Sequence, residues 1–447
     1  MPRHLQPGAK ILFANVPADG HFNPLTGLAV HLKNEGYDVR WYSSERYAPK
    51  IEKLGIPVYP FKAAMDIDIE NAENLFPDRD KHKTQIGKLN YDIINVFILR
   101  SPEYYADLRA IHKSFPFDLL IADITFGAIP LVKEHMNIPA IAVGVIPVAE
   151  TSKDLPPMGL GMLPASSWTG KLKQAGLRWI ADNVLFRKSN QVLKQVLAEY
   201  NIQPDGNMFD TIARKSTLVL QSGTPGFEYQ RSDLGKNYRF VGPLLPHQKI
   251  KNEKWFDEKL MAYKEIILVT QGTVERDVEK IIVPTLEAFQ NTDKLVVVTT
   301  GGSGTEALRQ RFPAPNIIIE DFIPFADVMP YANVYVTNGG YGGVLLSVQN
   351  NLPMVVGGIH EGKLEINARV EYFKLGVNLR TEKPAVQQVK KAVEEVLRNP
   401  VYRQNVTALS KEFSQYHPQQ LSQQYIDEVL TAAASKKATP QVMKVVA

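Results

Sequence analysis

The chain has 447 residues, enough for two or three domains, and its 44% hydrophobic and 22% charged residues suit a soluble globular protein. A net charge of +4, from 51 basic and 47 acidic residues spread along the chain, argues against a dedicated nucleic-acid binder. There is no cysteine, which excludes disulfides, thiolate zinc sites and cysteine nucleophiles. The N-terminus lacks the apolar core of a signal peptide and no apolar run reaches transmembrane length, so a cytoplasmic protein, monomeric or weakly dimeric, is expected.

The first strand is expected at residues 10–16, "KILFANV". Leu25, Leu28, Ala29 and Leu32 then fall at i, i+3, i+4 and i+7, a helical stripe with Pro24 in its first turn and Gly36 past its end. "DVRWYSS" completes a βαβ unit. The pattern recurs with "DLLIAD" at 118–123, a helical segment near 127–136 and "PAIAVG" at 139–144, and "TLVLQS" at 217–222 reads as a late strand of the same sheet. Gly, Pro and charge accumulate over 226–255, which reads as a linker. A second series follows, with strands "EIILVTQ", "KLVVVTT", "NIIIEDF", "NVYVTN" and "PMVVGG" and a helix at 384–398. The expectation is α/β: two doubly wound parallel-sheet domains, 1–225 and 256–400, facing across a cleft, with helices of 401–447 packing back toward the first domain and ending in a flexible tail.

Ligands of such sheets bind beyond the carboxyl ends of the strands, so the residues there are the candidates. His21 follows the first strand and is a candidate general base. Asp123 ends the strand "DLLIAD", on the same rim, where it could orient that imidazole or cap the next helix. The turn after the first strand holds only Gly20, so the dinucleotide fingerprint is absent. In the second half, Gln271, Gly272 and Thr273 follow one strand. Asn338, Gly339, Gly340, Gly342 and Gly343 follow another and precede a helix expected near Val344. Two bare strand ends in one domain suit an anion at helix N-termini; tight helix–strand packing would also use glycine. Asp66 and Asp68 have metal-motif spacing but lie in a long polar stretch that reads as a solvated loop, and no metal is assigned.

Taken together, "ILFANVPADGHFNPLTGLAVHLKNEGYDV", "VGPLLP", "DFIPFADVMPYANVYVTNGGYGG" and "ARVEYFKLGVNL" resemble the family 1 glycosyltransferases, the UDP-glycosyltransferases and antibiotic glycosyltransferases of the GT-B fold. The resemblance covers nearly the whole chain. It implies transfer of a sugar from a nucleoside diphosphate to a hydroxyl of a small acceptor, with inversion and without a metal. His21 matches the family's general base and Asp123 its paired acid, and the second domain would hold the nucleotide sugar. Asn338 stands where relatives place histidine, and would offer the diphosphate a neutral hydrogen bond. Gly343 replaces a serine or threonine, and Leu346 falls where a glutamate binds the ribose. Phe322, beside Ile323, stands for the tryptophan that stacks on the base. "IHEGKLEINAR" replaces an Asp-Gln pair, leaving Glu361 or Lys363 for the sugar hydroxyls. UDP-glucose is the donor the family implies first, and a dTDP-sugar second. Phe97, Phe126, Ile146 and Met158 are candidate contacts of a hydrophobic or phenolic acceptor. Two other readings stand beside this one: a nucleotide-sugar epimerase on the same fold, and a catalytically silent small-ligand or nucleotide-binding protein.

Overall fold

The structure, a computed structural model, describes residues 8–67, 72–247, 254–272, 275–360 and 362–438. Seven parallel strands form the first sheet: β1 (Lys10–Ala14), β2 (Asp38–Ser43), β3 (Val58–Pro60), β4 (Leu119–Asp123), β5 (Ala140–Gly144), β6 (Leu218–Ser222) and β7 (Tyr238–Gly242). Their order is β3-β2-β1-β4-β5-β6-β7. Six more form the second: β8 (Glu265–Thr270), β9 (Lys294–Thr299), β10 (Ile317–Glu320), β11 (Val334–Thr337), β12 (Met354–Val356) and β13 (Gly376–Asn378), in the order β10-β9-β8-β11-β12-β13. Central strands such as β4 and β5 are buried at every position, as expected of strands covered by helices on both faces.

Strand order reverses once in each sheet, between β1 and β4 and between β8 and β11. Helices leaving the two strands of such a pair cover opposite faces of the sheet, which leaves a crevice at their carboxyl ends. Those ends carry His21 and Asp123 in the first domain, and Gly272 and Asn338 in the second.

Three expectations need correction. The segment 226–255 is not simply a linker, because Tyr238–Gly242 inside it is β7, the edge strand of the first sheet. Gly, Pro and charge surround it closely enough to hide a five-residue strand. The helix after the 339–343 glycines begins at Tyr341, so Gly342 and Gly343 lie within its first turn. The C-terminal helices divide between the domains. Helix Pro400–Phe413 adds Val406, Leu409 and Phe413 to the second core, whereas helix Pro418–Ala438 adds Ile426 and Leu430 to the first.

That last helix is seated by polar contacts as well. His31 Nε2 lies 2.7 Å from Gln423 Oε1, and the Tyr37 hydroxyl donates to Asp427. Among the described residues no helix is long and apolar enough to cross a membrane. Ile426 is fully buried beneath the helix. Ile426→Ala is expected to destabilise the first domain by about 2–5 kcal/mol, read as a lower urea midpoint, although the residue lies beyond the second domain in sequence.

Candidate active site

Helix Asp19–Asn34 begins five residues past the end of β1, which puts His21 in its first turn at the rim of the first sheet. Asp123, the last residue of β4, is fully buried. Its Oδ1 lies 2.9 Å from His21 Nδ1 and accepts the Thr125 backbone N–H at 2.9 Å and the Thr125 hydroxyl. Its Oδ2 accepts the Val16 N–H at 2.8 Å. A carboxyl group held by this many donors is fixed in orientation, and so fixes the ring beside it. The His21 side chain is 19% exposed, and its Nε2 has no partner among the described residues. The dyad can therefore present a proton acceptor to the cleft while Asp123 holds the opposite ring nitrogen. Beneath it Tyr104 is buried, and burial, with the Asp123 charge second, raises its phenol above the ordinary range.

Across the cleft, the carboxyl ends of β8, β9 and β11 form a floor of bare backbone. A Cβ on Gly272 would lie 3.5 Å from Asn338 Nδ2, one on Gly301 would lie 3.5 Å from the Gly272 carbonyl, and one on Gly302 would lie 4.0 Å from the Phe322 ring. Phe322 is 72% exposed, an open aromatic face at the end of this run, and Ile323 behind it is buried. At the other end Gly340 caps helix Tyr341–Gln349 with no side-chain hydrogen bond, so the first-turn N–H groups keep the polarity that suits an anion. Gly301 and Gly302 were missed by the sequence reading, although "TTGGSG" follows a strand as plainly as "TNGG" does.

Other expected residues take different parts. The Gln271 side chain is spent on structure: its Oε1 accepts the N–H groups of Ile281 and Ile282 at 2.8 and 3.0 Å, and its Nε2 donates to the Asp277 carbonyl at 2.9 Å. Asn338 is buried and its Nδ2 donates to the Gln271 carbonyl, so one of its N–H groups joins the ends of β8 and β11. Lys363 begins helix Lys363–Tyr372, and Leu346 is half-buried against the second core. Thr273, Glu361 and Asp68 lie outside the described residues. Asp66 accepts the Glu45 N–H at 3.1 Å.

Among the acceptor candidates, Phe126 is corrected. It is fully buried, stacked on Tyr104 at 4.6 Å, and belongs to the core, where Gly127 beside it packs so closely that a Cβ would lie 2.0 Å from Ser101 Oγ. Phe97 and Ile146 are half-buried at the edge of that core. Met158 borders a narrow cavity with Tyr229, Arg231, Glu365 and Arg369. That cavity marks where the domains are tied. Arg369 donates to Glu228 at 2.9 and 3.0 Å and stands 4.3 Å from the Tyr229 ring, and Glu365 Oε1 accepts the N–H groups of Gly159 and Gly161 at 2.8 and 3.0 Å. Burial alone would lower the Arg369 pKa, but Glu228, Tyr229 and Glu365 more than offset it, and the net shift is upward.

Two facing doubly wound sheets, with a His–Asp dyad on one rim and a glycine floor on the other, form the GT-B arrangement of a glycosyltransferase. Residues 179–421 match the UDP-glucoronosyl and UDP-glucosyl transferase family. A 4'-demethylrebeccamycin synthase from Lentzea aerocolonigenes is 32% identical over 413 residues, 91% of this chain and 96% of the relative. UDP-glucosyltransferase 1 of Beauveria bassiana is 30% identical over 431 residues, 90% of this chain and 91% of the relative. In fold, the chain matches the solved glycotransferase of kitacinnamycin with a TM-score of 0.74 at 18% identity, covering 95% of this chain and 100% of that one. It matches the calicheamicin glycosyltransferase CalG4 with a TM-score of 0.70 at 20% identity, covering 97% and 100%. The chain belongs to the UDP-glucoronosyl and UDP-glucosyl transferase family.

The floor distinguishes two adjacent glycines. Gly339 has φ +82°, and a Cβ there would lie 1.8 Å from Asn367 Oδ1, so Gly339 is the position that no other residue fits without strain. Gly340 has φ −64°, and a Cβ there would meet only Asn338 Oδ1, at 3.9 Å. Gly339→Ala is expected to cost about 1–3 kcal/mol of stability. Gly340→Ala should unfold like the parent yet bind UDP roughly tenfold more weakly, about the value of one hydrogen bond to a charged group. Thermal unfolding and calorimetric titration separate the two effects.

Proposed function

We propose that the protein is an inverting, metal-independent glycosyltransferase that moves glucose from UDP-glucose to a hydroxyl of a small hydrophobic or phenolic acceptor. The observation that carries this reading is the His21–Asp123 pair, 2.9 Å apart at the strand-order reversal of the first sheet. His21 Nε2 takes the acceptor proton as the acceptor oxygen attacks the anomeric carbon from the face opposite the diphosphate. The bond from that carbon to the diphosphate oxygen breaks, and the nucleoside diphosphate leaves with the electron pair. Asp123 steadies the imidazolium formed. Charge on the departing diphosphate falls against the glycine floor and the first turn of helix Tyr341–Gln349, where backbone N–H groups and the helix dipole oppose it.

UDP-glucose is supported by a relative named as a UDP-glucosyltransferase. A dTDP-sugar remains the second donor to test, since one solved neighbour, VinC, is in complex with dTDP. Relatives and neighbours named for rebeccamycin, kitacinnamycin and calicheamicin chemistry support a natural-product acceptor. Neither the epimerase nor the silent binding protein is favoured, because the matched family and the Beauveria bassiana relative are named for sugar transfer.

His21→Ala is expected to lower turnover on an alcohol or a weakly acidic phenol by about 10²–10⁴-fold while UDP affinity stays at the parent's value. Unchanged turnover would remove His21 from the role. Activity should persist in excess EDTA, and NMR of the product should show the anomeric configuration opposite to the donor's. Loss in EDTA restored by Mg²⁺, or retention of configuration, would overturn the corresponding part of the mechanism.

A further inference from the structure

Helix Trp168–Ile180 and the turn Ala181–Leu185 carry apolar side chains left largely exposed among the described residues. Trp168, Leu172, Trp179 and Val184 expose 77%, 67%, 64% and 59% of their surface, whereas Trp41 is fully buried and Trp255 is half-buried. At 100° per residue Trp168, Leu172 and Trp179 fall within about 40° of one another, a single stripe along the helix. The opposite side is the anchored one. Gln174 is buried, its Nε2 donates to the Leu163 carbonyl at 2.8 Å and its Oε1 accepts the Ala165 N–H at 3.2 Å, and Arg178 donates to the Leu155 carbonyl. The stripe therefore faces outward by construction.

Charge is concentrated in the same stretch. Residues 166–196 contain Lys171, Lys173, Arg178, Arg187, Lys188 and Lys194 against the one acidic residue Asp182, a net +5 where the whole chain has +4. Lys171, Lys173, Arg187, Lys188 and Lys194 are exposed. Lys171 and Lys173 leave the helix on either side of the stripe, in position to lay their stems along an apolar surface and keep their ammonium groups at its boundary.

We propose that this face docks on an anionic lipid bilayer, with helix Trp168–Ile180 lying in the headgroup plane. Exposed tryptophans flanked by lysines are the composition that partitions at a membrane boundary, and 13 residues are too few to span one. The same charge disfavours a second copy, because a two-fold contact through the stripe would oppose one cluster of cations to another. The docked helix holds the 155–165 segment by its inner face, and that segment reaches the second domain through Gly159, Gly161 and Glu365. If the acceptor is apolar, as proposed above, the cleft then opens beside the phase in which it dissolves; the docking itself does not rest on that reading.

The test is flotation of the full chain with vesicles of phosphatidylcholine containing about one-third phosphatidylserine, and with vesicles of phosphatidylcholine alone. The chain is expected to float with the anionic vesicles, with its tryptophan emission shifted to the blue, and to be released as salt is raised. Trp168→Ser with Trp179→Ser should weaken binding by about tenfold or more, and Lys171→Glu with Lys173→Glu should abolish the preference for anionic lipid. Unchanged circular dichroism and thermal unfolding show that both double variants are folded. Failure of the parent to float, or equal binding by parent and variants, overturns the proposal. So does a parent that sediments as a dimer, does not float, and becomes monomeric when the two tryptophans are replaced, which would assign the face to a second copy.

Discussion

The reversal of strand order, once in each sheet, is the constraint on which the rest of the molecule depends. A right-handed crossover from one strand to the next parallel strand places its helix on a fixed face, so two series running outward from a central pair must send their first helices to opposite faces. The gap between β1 and β4 receives His21 and Asp123, and the gap between β8 and β11 receives Gly272 and Asn338. Asp123 and Asn338, more than 200 residues apart, thus occupy equivalent places on two sheets of unlike sequence. The Val16 N–H and the Asn338 amide serve the same end on either side, each tying together the two strand ends that diverge.

How the two gaps face one another is a separate matter, and it falls to a buried cluster of charge. Arg369 and Glu228 are 2% and 7% exposed. Burying such ions costs several kcal/mol apiece before their attraction repays it, so an ion pair of this kind is a poor source of net stability. It is a better source of geometry. A guanidinium that must satisfy Glu228 from one domain's end, the Glu365 carbonyl on its own helix and the Tyr229 face permits few arrangements of the parts that carry those groups. Glu365 extends the same restraint to the 159–161 backbone.

Much of this was legible from the sequence because it lay in local pattern. Alternating apolar runs and helical stripes announced both sheets, and position after a strand picked out His21, Asp123 and the 338–343 turn. The failures share a cause, which is that partners distant in the chain decide them. Strand β7 is short and bounded by Gly and Pro, and pairs with β6 only because the first sheet has an open edge there. Gln271 looks like a ligand contact until Ile281 and Ile282 are seen to need its oxygen. Phe126 looks like pocket lining until Tyr104 and Tyr42 close over it. Which of two neighbouring glycines has no alternative depends on Asn367, 28 residues beyond Gly339. Arg369 and Glu228 carried no signal of their own, since a lone charge in a helix or in a linker reads as solvated.

The last described helix has a consequence for how the protein is made. Pro418–Ala438 lies on Asp19–Asn34 and β7 and buries Ile426 and Leu430 in a core whose first strand begins at Lys10. A nascent chain can assemble the first sheet once β7 has left the ribosome, but the part of it that helix Pro418–Ala438 covers, beside Asp19–Asn34 and β7, stays open to water while the entire second domain is synthesised. At about 5–20 residues per second this interval is of the order of ten seconds or more. The first domain therefore waits, with part of its apolar surface uncovered, for a helix made after the second domain, and its core is complete only when Pro418–Ala438 reaches it.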